Sequence, residues 1–84
     1  MKNILIYTGP SCNFCDAATR LLKRNGLSFD EIDISSGENI REEMIKKTSG
    51  QRTIPQIFFG DYHVGGYTEL RELEKSNNLK EKLK

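Results

Sequence analysis

The apolar residues fall in short runs between polar turns, and their spacing changes from run to run. Ile4-Leu5-Ile6-Tyr7 is continuous and apolar, the pattern of a buried strand, and it predicts a strand over residues 3–8. From Phe14 onward Ala17, Ala18, Leu21 and Leu22 recur at helical spacing. With Lys23 and Arg24 in the last turn and Gly26 as the stop, they predict a helix over 12–25. Gly26-Leu27 suits a left-handed cap followed by an apolar contact. Residues 28–34 predict a second strand, whose Asp30, Glu31 and Asp33 suit a sheet edge. A right-handed crossover through the helix makes these two strands parallel.

The second helix has two candidate starts, a capping box of Ser35 with Glu38 or one of Asn39 with Glu42. Ile40, Met44 and Ile45 mark its buried face, and it ends near Thr48-Ser49-Gly50. Gln56-Ile57-Phe58-Phe59 is the next strand, with Pro55 at its entry, where a missing N–H does least harm. Gly60-Asp61 reads as a tight hairpin turn, Tyr62-His63-Val64 as the return strand, and His63 as an exposed hairpin residue. Gly65-Gly66 leads into a helix from Tyr67 to Lys75 with Leu70 and Leu73 inward. Ser76-Asn77-Asn78 breaks it, and Leu79 and Leu83 mark a short terminal turn with a solvated charged face. The order β-α-β-α-β-β-α implies an α/β fold: a four-stranded mixed sheet, its first pair parallel and its last an antiparallel hairpin, with three main helices covering both faces.

With 84 residues, one domain spanning 1–84 and a small core are expected. Thirteen basic against 12 acidic residues leave a formal charge of +1, so no strong field draws nucleic acid or a membrane surface. No apolar run approaches membrane-spanning length. Met1-Lys2-Asn3 runs straight into the first strand without an export signal, so a reducing, cytoplasmic setting is expected. There a lone cysteine pair is more often catalytic than structural.

That pair, Cys12-Asn13-Phe14-Cys15, sits where the first strand hands over to the first helix, with Pro10 ending the strand and Ser11 suited to capping. Residues three apart on a helix are neighbours, so the two sulfurs can bond without large backbone movement. Cys12, at the helix end, meets unpaired N–H groups and the positive end of the dipole, which favour a thiolate. Asp16 opposes part of that effect. Cys15, one turn inside and on the face of Ala18 and Leu22, is expected to be buried and to act as the resolving thiol. A zinc site within one chain is disfavoured, because the only other thiophilic ligand is His63 and about four ligands are needed. A C-x-x-C at a strand-to-helix junction is instead a redox signal.

Three separated motifs, Cys12-Asn13-Phe14-Cys15, Thr53-Ile54-Pro55 and Gly65-Gly66-Tyr67-Thr68-Glu69, resemble those of the dithiol glutaredoxins of the thioredoxin superfamily, nearly end to end. The resemblance implies a thioredoxin-like fold, glutathione as reductant, and reduction of protein disulfides and glutathione mixed disulfides. It implies a cis bond before Pro55, where base rates alone favour trans. It then places the Ile54 N–H and C=O against the cysteinyl backbone of glutathione, as an added strand would lie. Gly65 and Gly66 let the ligand approach, the Tyr67 and Thr68 N–H groups hold its γ-glutamyl carboxylate, and Glu69 takes the adjacent ammonium. A plain turn and helix cap is the alternative reading of that stretch, with Glu69 serving the helix dipole. The sequence departs from the family in four places: Asn13-Phe14 replaces Pro-Tyr, Gly9 stands where many members carry Lys, and Glu69 stands where Asp is usual. Phe14 keeps an aromatic wall. Arg52 is a candidate to replace the missing Lys charge at the glycine carboxylate, or is simply an exposed loop residue.

Two other functions fit parts of the pattern. A [2Fe–2S] scaffold would take Cys12 from two chains and two glutathiones, and Asn13 after the first cysteine suits it. Coloured anaerobic preparations would favour this reading. A redoxin served by thioredoxin reductase would lack the Gly65–Glu69 pocket. The leading reading is a monomeric oxidoreductase whose partners are glutathione and disulfide-bearing or glutathionylated proteins, with no metal required.

Overall fold

The computed structural model describes residues 1–84. The elements are β1 (Ile4–Thr8), α1 (Asn13–Arg24), β2 (Asp30–Asp33), α2 (Ile40–Lys47), β3 (Gln56–Phe59), β4 (Tyr62–Gly65), α3 (Tyr67–Lys75) and a short α4 (Leu79–Leu83). The sheet runs β2-β1-β3-β4. β1 and β2 are parallel, with Leu5 opposite Asp30. β1 and β3 are antiparallel, with Ile4 opposite Phe59, and β3 and β4 form the antiparallel hairpin. The acidic strand β2 lies at an edge, with Asp30, Glu31 and Asp33 exposed. No helix is long and apolar enough to cross a membrane.

Alternation along the strands divides the core into two layers. Ile4, Ile6, Ile57 and Phe59 point to one face, where they join Ala18, Leu21 and Leu22 of α1, Leu70 of α3, and Leu79 and Leu83 of α4. Tyr7 and Phe58 point to the other, where Met44 covers them with support from Ile40, Ile45 and Ile54. The thinner layer is the one that α2 closes. Helices cover both faces, as burial of a central mixed sheet requires.

The turns follow the residues that permit them. Gly26 takes φ +71°. Its N–H bonds Lys23 O and the Leu27 N–H bonds Leu22 O, which closes α1 and carries Leu27 into the core. Gly60, at φ +60°, turns the β3–β4 hairpin. The start of α2 follows neither expected capping box. Asn39 is its N-cap but makes no side-chain cap bond. Ser35 instead donates its N–H and hydroxyl to Asp33 Oδ1, an Asx turn that uses up the first candidate. The chain ends meet: the Lys2 N–H donates to Leu83 O at 2.7 Å.

One polar knot ties α1 to α3. Arg24 donates Nε and an Nη to the two oxygens of Glu74, and Asn25 Nδ2 donates to Glu74 Oε2 at 2.7 Å. Hydrogen bonds from Arg24 and then Asn25 hold the Glu74 carboxyl below its ordinary value of 4.5. A folded-state value lower than the unfolded one contributes stability that is present above 4.5 and is lost as pH falls through the depressed value. Glu74→Gln is therefore expected to flatten the acid limb of the stability curve. The gap in urea midpoint between wild type and variant should shrink between about pH 7 and about pH 3. An unchanged gap over that range would show that Glu74 does not carry this dependence.

Candidate active site

Three chain segments converge at the C-terminal end of β1. The first is the turn from Gly9 to Cys12. Ser11 lies outside the helix at φ +54°, so it is not the cap. Cys12 itself is the N-cap, extended at φ −111° and ψ 102°, and its Sγ accepts the Cys15 N–H at 3.1 Å. Sulfur thus occupies the place where a capping oxygen commonly sits. Cys12 and Cys15 are joined as a disulfide, their Cα atoms 5.2 Å apart. Cys12 is half-buried, whereas Cys15 is 3% exposed beneath it.

The second segment is Thr53-Ile54-Pro55, whose Ile54–Pro55 bond is cis. The Ile54 carbonyl oxygen lies 4.0 Å from Cys12 Sγ. The third is Gly65-Gly66 and the N-terminus of α3. Gly65 is at φ +116°, and a Cβ there would come within 2.7 Å of Glu69 Oε1. Only glycine fits both demands. A Cβ on Gly66 would lie 3.4 Å from Pro55 O, so the second and third segments pack backbone to backbone.

These segments border a groove of about 110 Å³. Phe14 and Tyr67 form one wall, with ring centroids 5.9 Å apart and planes 25° apart. Thr53, Ile54 and Pro55 form the other, and Gly66 and Thr68 close the end. Phe14 belongs to this wall and not to the buried face of α1: it is 64% exposed. A depression of about 790 Å³ runs along α2 from Asn39 to Lys47, but no cysteine lines it. The chemistry belongs to the smaller groove because Ile54, which lines it, holds its carbonyl oxygen 4.0 Å from Cys12 Sγ.

The remaining predicted residues fall differently. Gly65 and Glu69 line an adjoining polar cavity of about 340 Å³, together with Gln51, Gln56 and His63. Glu69 Oε1 accepts the Gly66 N–H at 2.7 Å, so this carboxylate caps α3. That is the helix-cap reading of Glu69, and loss of its side chain would loosen the helix as well as the site. Arg52 is exposed, lines neither cavity and joins neither ion pair of the chain.

Gln56 and His63 were not legible as site residues. Gln56 is 3% exposed, and its Nε2 donates to Thr53 O at 3.1 Å and to Thr53 Oγ1 at 3.0 Å. Its Oε1 lies 2.7 Å from His63 Nε2. His63 is half-buried and stacked on Phe58 at 4.8 Å between ring centroids, contrary to the expected exposed hairpin residue. The bulge between Ile57 and Phe58 in the β3–β4 register accompanies this pairing. Within one chain, no three His, Cys, Asp or Glu side chains gather as a metal would require.

The glutaredoxin family model matches residues 4–64. The chain belongs to the glutaredoxin family. Glutaredoxin 3 of Escherichia coli (strain K12) is 43% identical over 84 residues, all of both chains. A solution structure of a glutaredoxin from Brucella melitensis superposes with a TM-score of 0.86 at 45% identity, covering 100% of this chain and 90% of that one. A crystal structure of a buckwheat glutaredoxin–glutathione complex also gives 0.86, at 22% identity, covering 98% of this chain and 76% of that one; the likeness there is one of fold. Glutaredoxins are thiol–disulfide oxidoreductases, and this chain is an enzyme of that kind carrying a Cys12–Cys15 redox pair.

Proposed function

We propose that residues 1–84 form one glutaredoxin domain that reduces protein disulfides and glutathione mixed disulfides with electrons from glutathione, acting in the cytoplasm as a monomer. The observation that carries this reading is the groove itself. It brings the Thr53-Ile54 backbone, an aromatic wall and a helix N-terminus together, with the Ile54 carbonyl oxygen 4.0 Å from Cys12 Sγ. Those features match the parts of glutathione. The tripeptide's cysteinyl backbone pairs with Ile54, flanked by Thr53 and Pro55, and brings its sulfur toward Cys12. Its γ-glutamyl carboxylate meets the free N–H groups of Tyr67 and Thr68 over the small Gly65-Gly66 turn. Glu69 offers its second carboxylate oxygen to the ammonium, and Phe14 with Tyr67 covers the apolar part. Arg52, if it turns inward, meets the glycine carboxylate. The buckwheat fold neighbour was solved as a complex with glutathione, which supports the same use of the groove.

The chemistry is thiol–disulfide exchange. Cys12 thiolate attacks the glutathione sulfur of a mixed disulfide, forms Cys12–S–S–glutathione and releases the protein thiolate. A second glutathione thiolate attacks that bond, leaves as glutathione disulfide and restores the Cys12 thiolate. With a protein disulfide, Cys12 forms a mixed disulfide with the substrate. Cys15 then attacks Cys12, frees the reduced substrate and leaves the Cys12–Cys15 disulfide, the state seen here. Two glutathiones return it to the dithiol.

The Cys15 N–H directed at Cys12 Sγ, together with the end of α1, stabilises the charged form in the reduced enzyme. Titration of thiolate absorbance in the reduced protein is expected to give Cys12 a pKa below the free-thiol figure of about 8.5. A value at or above that figure would make Asp16 the dominant influence. The reaction itself is tested by coupling glutathione, glutathione reductase and NADPH to a mixed-disulfide substrate. Steady NADPH consumption supports the proposal, whereas reduction by thioredoxin reductase but not by glutathione would overturn it.

A further inference from the structure

We infer that His63 is a positioning residue for the Thr53-Ile54 backbone and acts through the buried amide of Gln56. The inference rests on the glutathione reading above and adds to it a residue outside the groove. Its first step is a matter of donors and acceptors. Thr53 O can only accept, so the Gln56 atom 3.1 Å from it is the amide nitrogen. The same nitrogen spends its second hydrogen on Thr53 Oγ1. Gln56 Oε1 must then face His63, and an amide oxygen can only accept. His63 therefore carries a hydrogen on Nε2, in either its neutral or its charged form.

The second step is burial. Gln56 is 3% exposed, so water is a poor substitute for a lost partner. Its two bonds to Thr53 hold the carbonyl immediately before Ile54, and the Ile54 carbonyl lies 4.0 Å from Cys12 Sγ. The imidazole is itself fixed, stacked on Phe58 in the covered layer beneath the sheet. A rigid hairpin is thus coupled through one amide to the loop that would pair with substrate. Without the Nε2–H, the Gln56 amide is free to flip or turn toward water, and the loop loses its anchor.

His63→Phe keeps a flat ring over Phe58 and removes the donor. His63→Gln returns an amide N–H to about the same reach. In the coupled assay, His63→Phe is expected to raise KM for a glutathione mixed disulfide about fivefold with kcat little changed, the signature of lost uniform binding. His63→Gln is expected to restore most of that loss. A second measurement does not depend on glutathione: NMR order parameters of the Thr53 and Ile54 amides should fall in His63→Phe and recover in His63→Gln. An unchanged KM and unchanged order parameters in folded His63→Phe would overturn the inference, as would equal losses in both variants. If wild type itself fails to turn over glutathione mixed disulfides, the glutathione reading falls. The order parameters then still decide whether His63 holds the loop.

Discussion

Cys12→Ser is expected to abolish transfer to glutathione mixed disulfides and to protein disulfides alike, by roughly a thousandfold or more, because a serine hydroxyl is not ionised at neutral pH and no other thiol faces the groove. Cys15→Ser is expected to separate the two activities. Removing glutathione from a protein needs only the Cys12 thiolate and a second glutathione, so that rate should stay within a few fold of wild type. Reducing an intraprotein disulfide needs a resolving thiol, and Cys15, bonded to Cys12 in the oxidised state, is placed for it. That activity should fall by roughly a hundredfold. Serine is nearly isosteric, but Cys15 is 3% exposed, so its hydroxyl costs some stability unless it finds a backbone acceptor. A folded Cys15→Ser that loses both activities equally would break the division between nucleophile and resolver. Activity retained by Cys12→Ser would invert it.

The largest effect on stability is expected at Phe59. It ends the inner strand β3, is fully buried, faces Ile4 across β1, and belongs to the layer that α1, α3 and α4 share. Truncation there opens a cavity bounded by several elements at once, so no single helix can settle into the space. Phe59→Ala should cost about 3–5 kcal/mol. In a chain this small that is a large share of a total of about 5–15 kcal/mol, and it should lower the melting temperature by roughly 25 °C. Urea titration with an unchanged m-value would assign the loss to the folded state. A loss below about 1 kcal/mol would mean that the larger layer repacks far more freely than its burial implies.

Much of this architecture could be read from local patterns. The run at Ile4–Tyr7, the periodicity from Ala17 to Leu22, the stop at Gly26 and the turn at Gly60-Asp61 each carry their own signal, and the parallel first pair and the closing hairpin follow from them, whereas the β1–β3 pairing that joins the two has no local signal. The paired cysteines were equally plain. What local pattern concealed were choices between competing partners. Ser35 had an aspartate two residues back and bonded it in place of capping α2. Glu69 had both an N–H and an imagined ligand within reach and satisfies the N–H. Phe14 has the spacing of a core residue, yet at the first turn of α1 it projects past the end of the layer and stacks on Tyr67. Gln56 and His63 were hidden for another reason. Each is polar and unremarkable alone, and only the bulged hairpin register brings them within 2.7 Å.

The hydrogen bond between Lys2 and Leu83 has a practical consequence. It gathers both ends of the chain at the start of β1, while the disulfide lies past the far end of that strand, roughly 17 Å away for five residues in extended form. A tether attached through either terminus would therefore leave the molecule with its sulfurs turned away from the support. Immobilised on an electrode or a resin, the enzyme would present its groove outward whichever end carried the anchor.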